Sequence, residues 1–291
     1  MTEIGRNTLN EIEEQPNVIA ETIKNTKIYQ EIAEEVQNSE LIILTGSGSS
    51  FNAGFASLYL FNALGQIPTW VVHSSEFPFL IKPILKKEKR HLLISISQSG
   101  ESLGTVAAAE FAQAKGIPSI AVTVHPTSPL AQKSPMVLPL ITGEERSVMA
   151  TKTYTAQIAA LNQLAIMIGQ YTNAGNAVLN PILKDLEAVP KIIRDNLSAI
   201  KATVKKVSPF YKFVKQAFIL GSGPDYATAM EAALKLKEGA RIRAEAYSAP
   251  EFRHGPIALA DEYTMILAII PPSTSNRLHS ITSLLEKVAE R

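Results

Sequence analysis

The chain has 291 residues, 46% of them apolar and 19% charged, and a net charge of +1. So small a net charge gives no bulk field for nucleic acid or an anionic membrane, and neither is expected as a partner. There is no cysteine, which excludes disulfides, thiolate zinc sites and a cysteine nucleophile and fits a cytoplasmic protein.

Residues 1–15 are polar and acidic, with no apolar signal core. Residues 1–38 read as a helical segment, broken at Gln15-Pro16 by the proline. From Leu41 the texture changes. Leu41-Ile42-Ile43-Leu44 predicts a buried strand, followed by Gly46-Ser47-Gly48-Ser49-Ser50 and an apolar helix to Leu64. Further strands are expected at residues 70–72, 92–96, 119–124 and 136–140, with a helix ending at Lys115 and a long helix over 151–171. Strands alternating with helices predict a parallel sheet covered on both faces, an α/β fold. Residues 172–189 are more polar, contain Gly175 and Pro181 and run up to Pro190, so the domain boundary is expected there. The expected organisation is a helical segment over 1–38, a first domain over 39–173 and a second over 190–291.

After the boundary the pattern returns. Ala217-Phe218-Ile219-Leu220 leads into Gly221-Ser222-Gly223 and a helix through Arg241. Gly46 and Gly221 lie 175 residues apart, and the same offset carries Glu76-Phe77 onto Glu251-Phe252 and residues 92–97 onto 267–272. A shared register argues for an internal duplication. The helix at 275–290 is the last element of the second copy. Counterparts of the strands at 119–124 and 136–140 would fall beyond Arg291, so the second domain is expected to be incomplete at its C-terminus, with an open strand edge. The longest apolar runs, such as residues 265–272, are far too short to span a bilayer. The five histidines lack ligand spacing, and no metal is expected.

Gly46-Ser47-Gly48-Ser49-Ser50 turns from a strand into a helix whose N-terminus presents free N–H groups and a positive dipole end, and the serines add neutral donors. That combination suits a phosphate monoester. A dinucleotide fingerprint would need a third glycine where Phe51 stands, and a Walker loop would need Gly-Lys-Ser/Thr. The plain alternative is a strand-to-helix turn with serine caps. A second loop, Ser97-Gln98-Ser99-Gly100-Glu101-Ser102, also follows a strand and opens a helix. Two such loops at the carboxyl edge of one sheet can converge on one phosphate, with Glu101 read as a helix N-terminal charge. Glu231, Lys235 and Glu238 share a helix face at i, i+4 and i+7, the alternative being a solvated ion-paired stripe. Residues 244–256 read as a loop from their proline and glycine. They hold His254, able to move protons near neutrality or else a surface histidine.

Together these residues resemble the SIS (sugar isomerase) family, in particular the isomerase part of glucosamine-6-phosphate synthase and its single-chain relatives. The matching pieces are Glu14-Gln15-Pro16, Gly48-Ser49-Ser50-Phe51-Asn52, Ser75-Glu76-Phe77, the Ser97 loop, Thr151-Lys152, Ala233-Leu234-Lys235-Leu236-Lys237-Glu238, Ala244-Glu245-Ala246-Tyr247 and Glu251-Phe252-Arg253-His254-Gly255-Pro256. The resemblance implies two tandem doubly wound, flavodoxin-like domains. It implies that Ser49, Ser50, Ser97, Gln98, Ser99 and Ser102 hold a substrate phosphate. Glu238 would be the base moving a proton between sugar C1 and C2, Lys235 would polarise substrate oxygens, and His254 would help open the ring from a neighbouring subunit. A homodimer, a sugar-phosphate substrate and no cofactor are therefore expected. Two departures stand out. The family synthase carries a glutamine-hydrolysing domain with a cysteine nucleophile and a C-terminal tail with a lysine, and neither is seen here. The expected chemistry is thus interconversion of glucosamine 6-phosphate and fructose 6-phosphate without glutamine. A fructosamine-6-phosphate deglycase and a non-catalytic sugar-phosphate sensor are the alternatives.

Overall fold

The computed structural model describes residues 3–172 and 174–290. The chain divides into two compact units, residues 1–197 and 198–291.

The first unit opens with helices α1 (Glu3–Lys24) and α2 (Thr26–Val36). Pro16 lies inside α1 rather than ending it. Proline cannot donate to the carbonyl four residues earlier. Here the Gln15 side chain supplies the missing donor, its Nε2 reaching the Ile12 carbonyl at 3.1 Å. There follow β1 (Leu41–Gly46), α3 (Ser49–Leu60), β2 (Thr69–His73), α4 (Phe77–Leu80), β3 (His91–Ile96), α5 (Leu103–Lys115), β4 (Ser119–Thr123), α6 (Pro129–Lys133), β5 (Met136–Pro139) and α7 (Lys152–Gly169). The five strands pair in parallel in the order β2-β1-β3-β4-β5. Both faces are covered, which is why the strands read as unbroken apolar runs. Ile42, Leu44, Ile94 and Val122 pack with α1, α2 and α7, whereas Ile43 and Leu93 pack with Phe77 and with Ala108 and Ala112 of α5.

The stretch at 172–189, read as a connection, becomes helical at Asn176, where α8 (Asn176–Tyr211) begins. Leu179, Leu186 and Pro190 are buried on it, and that apolar burial offsets the helix bonds lost at Pro181 and Pro190. The division between the two units falls inside α8.

The second unit continues with β6 (Gln216–Gly221), α9 (Pro224–Lys235), β7 (Arg243–Ser248), α10 (Ala249–Phe252), β8 (Thr264–Ala268) and α11 (Leu278–Ala289). Its three strands are parallel, in the order β7-β6-β8. The duplication is visible in detail. A shift of 175 residues carries β1 onto β6 and α3 onto α9, and the π turn Phe61–Gly65 onto the π turn Leu236–Ala240. The left-handed residue closing each π turn corresponds as well, Gln66 at φ 50° and Arg241 at φ 55°.

Two expectations are corrected. The third landmark of the duplication is not in the common register: Leu41 stands opposite His91 in the first sheet, and Gln216 opposite Thr264 in the second. The strand expected at 267–272 therefore begins at Thr264 and ends at Ala268, because Pro271 and Pro272 have no N–H for a ladder. The loop after β8 is longer, and the offset of 175 returns at α11, where Leu278 matches Leu103. Second, residues 244–256 are not a loop throughout, since most of β7 and all of α10 lie within them. Among the described residues β8 pairs only with β6, so its outer edge is open, and Leu267 beside it is 40% exposed. No described helix is long and apolar enough to cross a membrane.

His91, at the start of β3, is buried, and its Nδ1 accepts the Lys86 N–H at 3.2 Å. Burial holds its pKa below the usual imidazole range, with Lys89 adding and Glu40 opposing. The unfolded chain therefore takes up the proton first, at about pH 6.5. The stability conferred by neutral His91 is complete above that pH and is lost as pH falls below it. His73, also held low by burial, acts in the same direction. Thermal melts should show Tm falling below about pH 6.5, with a shallower fall in His91→Gln. An unchanged slope in that variant would show that His91 carries none of the effect.

Candidate functional site

The chain leaves β1 for β2 on one side and returns to β3 on the other, so the order of strands switches between β1 and β3. In open parallel sheets that point, at the carboxyl ends of the strands, is where ligands bind. Gly46 at the end of β1 stands opposite Ile96 at the end of β3. The two serine loops therefore start side by side, and α3 and α5 both begin at this rim with the positive ends of their dipoles. Gly46 allows the close approach: a Cβ there would lie 3.0 Å from the Ile96 carbonyl oxygen and 3.1 Å from the Ser50 carbonyl carbon. Gly48, at φ 54° and ψ −128°, takes the turn into α3 in a region open to glycine.

The hydroxyls are arranged alike. Ser50, buried, accepts from Gln157 Nε2 of α7 at 3.0 Å. Ser97, also buried, accepts the Gly100 N–H at 3.1 Å, and Ser99 accepts the Glu101 N–H at 3.2 Å. Ser102 accepts from the Thr105 hydroxyl at 3.1 Å. In each case the serine oxygen is the acceptor, which leaves its own proton available to donate. Ser49 is the first residue of α3, half-buried. The second loop is fixed from below, with the Gln98 carbonyl accepting from Thr123 Oγ1 and the Val124 N–H, each at 3.1 Å, and the Gly100 carbonyl from the Leu130 N–H at 3.0 Å. A rim of neutral hydroxyl donors beside two helix N-termini is suited to a phosphoryl group.

Gln157 was not singled out from the sequence. It lies 107 positions from Ser50, and its only signal is a buried amide within an apolar helix. The Ser47–Ser74 hydroxyl pair, at 2.7 Å, was missed as well.

In the second unit, α9 ends at Lys235 and the π turn carries Glu238. Lys235 Nζ lies 2.6 Å from Glu238 Oε2 and 3.3 Å from Glu231 Oε1. This is not a solvated stripe: the Glu231 side chain is 7% exposed and Lys235 22%. One ammonium is shared by two carboxylates, of which Glu238 is the more open to solvent. His254 is not brought to this cluster by any hydrogen bond among the described residues. It lies exposed in the turn after α10, its N–H donating to the Glu251 carbonyl at 2.9 Å.

The pattern of the SIS domain is matched by residues 35–167 and 212–291. This chain belongs to the SIS domain family. The first SIS stretch contains Ser49, Ser50 and the Ser97 loop; the second contains Lys235, Glu238 and His254. The isomerizing glutamine–fructose-6-phosphate aminotransferase of Streptococcus mutans is 35% identical over 301 residues, covering 99% of this chain and 49% of that protein. The enzyme of the same name from Bradyrhizobium diazoefficiens is 34% identical, over 90% of this chain and 44% of its own length. The chain thus spans about half the length of these relatives. Among solved structures, the C-terminal domain of glucosamine-fructose-6-phosphate aminotransferase from Francisella tularensis superposes with a TM-score of 0.90 at 27% identity, covering 98% of this chain and 81% of that one. Glucosamine-6-phosphate deaminase from Thermotoga maritima shares the SIS fold, with a TM-score of 0.79 at 22% identity over 97% of this chain and 82% of that one.

Proposed function

We propose that the chain interconverts an amino-aldose phosphate and a ketose phosphate, with glucosamine 6-phosphate and fructose 6-phosphate as the pair. The observation that carries the reading is the rim at β1 and β3, where the hydroxyls of Ser50, Ser97, Ser99 and Ser102 all keep a proton to donate. With Ser49 and Gln98 they hold the phosphate. The Glu238 carboxylate removes the proton from C2 of the open-chain amino aldose. Lys235, already paired with that carboxylate, stabilises the oxygen charge of the enol-type intermediate. Returning the proton to C1 leaves an imine at C2. Water hydrolyses the imine to the ketose and ammonia. Proton transfer of this kind needs no metal or redox cofactor. The exposed His254 is proposed to assist ring opening at the site of a second copy in a homodimer.

The test is incubation with glucosamine 6-phosphate, assayed for ammonia and fructose 6-phosphate. Equal release of both is expected. Saturable binding with neither product would refute the enzyme and leave a sugar-phosphate sensor.

A further inference from the structure

The duplication places a counterpart of the phosphate rim in the second repeat. By the offset of 175, Gly46, Ser47, Gly48, Ser49 and Ser50 correspond to Gly221, Ser222, Gly223, Pro224 and Asp225, and Ser102 corresponds to Arg277. The frame is preserved. Gly223 takes φ 60° and ψ −133°, nearly the values of Gly48, and opens α9 as Gly48 opens α3. In the later loop Ser275 Oγ accepts the Arg277 N–H at 3.2 Å, a turn of the kind Ser99 makes with Glu101 but set one residue later in the common register. The contents differ. The hydroxyl of Ser50 is replaced by a carboxylate in the first turn of α9, where N–H groups and the helix dipole favour an anion. Arg277 Nη1 lies 2.6 Å from Asp225 Oδ2 and also donates to the Ser222 carbonyl. Its guanidinium lies over the turn, since a Cβ on Gly223 would meet Arg277 Nη1 at 3.3 Å. Ser222 Oγ is buried without a hydrogen-bond partner among the described residues. Its counterpart Ser47 pairs with Ser74, and the residue at the Ser74 position is Ala249.

We propose that the Asp225–Arg277 ion pair is a built-in occupant of the second repeat's anion cradle. Asp225 stands in for the phosphoryl group and Arg277 is its counter-ion. The two repeats have then specialised in opposite directions. The first keeps the open cradle and carries Ala56, Leu60 and Ala63 where the second carries Glu231, Lys235 and Glu238. The second keeps the acid–lysine cluster and has closed its cradle from within. Each chain therefore binds one phosphate, a statement that rests on the proposed role of the first rim.

The two residues can be exchanged. Inorganic phosphate binding to the full-length chain is measured by equilibrium dialysis, with Tm and far-UV circular dichroism checking the fold. Wild type is expected to bind one phosphate per chain, Ser50→Asp none, Asp225→Ser two, and the double exchange one. Adding Arg277→Ser to Asp225→Ser, which restores at 277 the serine that the first repeat carries at Ser102, should keep the second site. Asp225→Asn, which keeps the side-chain volume, should also open it and serves if the serine variant does not fold. Two phosphates on wild type, or no gain in folded Asp225→Ser and Asp225→Asn, would overturn the proposal. No phosphate on wild type but one on the double exchange would instead sink the reading of the first rim and leave this one standing.

Discussion

Glu238→Gln is expected to lower kcat by about 10²- to 10⁴-fold, the usual contribution of a placed general base. The affinity for sugar phosphate should stay within about threefold, since an interaction made only in the transition state leaves ground-state binding intact. The geometry makes this a clean substitution. Glutamine keeps the volume of glutamate and can still accept from Lys235, now 2.6 Å from the carboxylate. If that contact weakens, Lys235 retains Glu231 at 3.3 Å, so no half-buried ammonium is left unpaired. Lys235→Met would be a poorer probe, because it strips the nearly buried Glu231 of its cation. The decisive readout is exchange of the C2 proton of glucosamine 6-phosphate with deuterated solvent, followed by NMR alongside product formation. Exchange and turnover should fall together. Turnover within tenfold of wild type would remove Glu238 from the role of base.

What was legible in the chain follows from where each signal is generated. β1, β3 and β4 are buried on both faces, so they appear as unbroken apolar runs. The Gly-Ser-Gly turns were equally plain, because a backbone at positive φ after a strand leaves glycine as the residue. β7 was hidden for the opposite reason. It is an edge strand whose Arg243 and Glu245 stay exposed, and the nearby Pro250 and Gly255 drew the reading toward a loop. The slip of β8 was masked by Ile269 and Ile270, which prolong the apolar run past the end of the ladder. The π turns have no compositional mark; only their exact repetition in the two copies reveals them. Pro16 misled because its repair is made by a side chain, Gln15, rather than by the backbone. Of the candidate site, the hydroxyl-bearing loops and the acid–lysine face could be read from local spacing. Gln157 and the Asp225–Arg277 pair could not, since each joins residues more than fifty positions apart.

Gly100→Ala is expected to damage both the stability and the binding of the serine-loop rim, for reasons of shape alone. Gly100 sits at φ 68°, and a Cβ there would fall 2.0 Å from Ser128 Oγ and 2.4 Å from Ser128 Cβ. A left-handed alanine costs about 1–2 kcal/mol and overpacking a further ~1–3. Ser128 has little room to yield, because its hydroxyl caps α6 by accepting the Ala131 N–H. The combined loss, about 3 kcal/mol, corresponds to a fall in Tm of roughly 6–12 °C for a unit of this size. The loop would also be pushed off the bonds that aim it, those from the Gly100 N–H to Ser97 Oγ and from the Leu130 N–H to the Gly100 carbonyl. Phosphate affinity should drop by at least about tenfold, the worth of one hydrogen bond to a charged group. Gly143→Ala separates the two causes. Gly143 has φ 63° but nothing within 4 Å of its would-be Cβ, so it should lose only the backbone term of about 1–2 kcal/mol and bind phosphate as wild type does. Equal losses of Tm in the two variants, or unchanged affinity in Gly100→Ala, would mean that Ser128 and the loop above it can move apart freely, and that the rim is not the rigid cradle its hydrogen bonds imply.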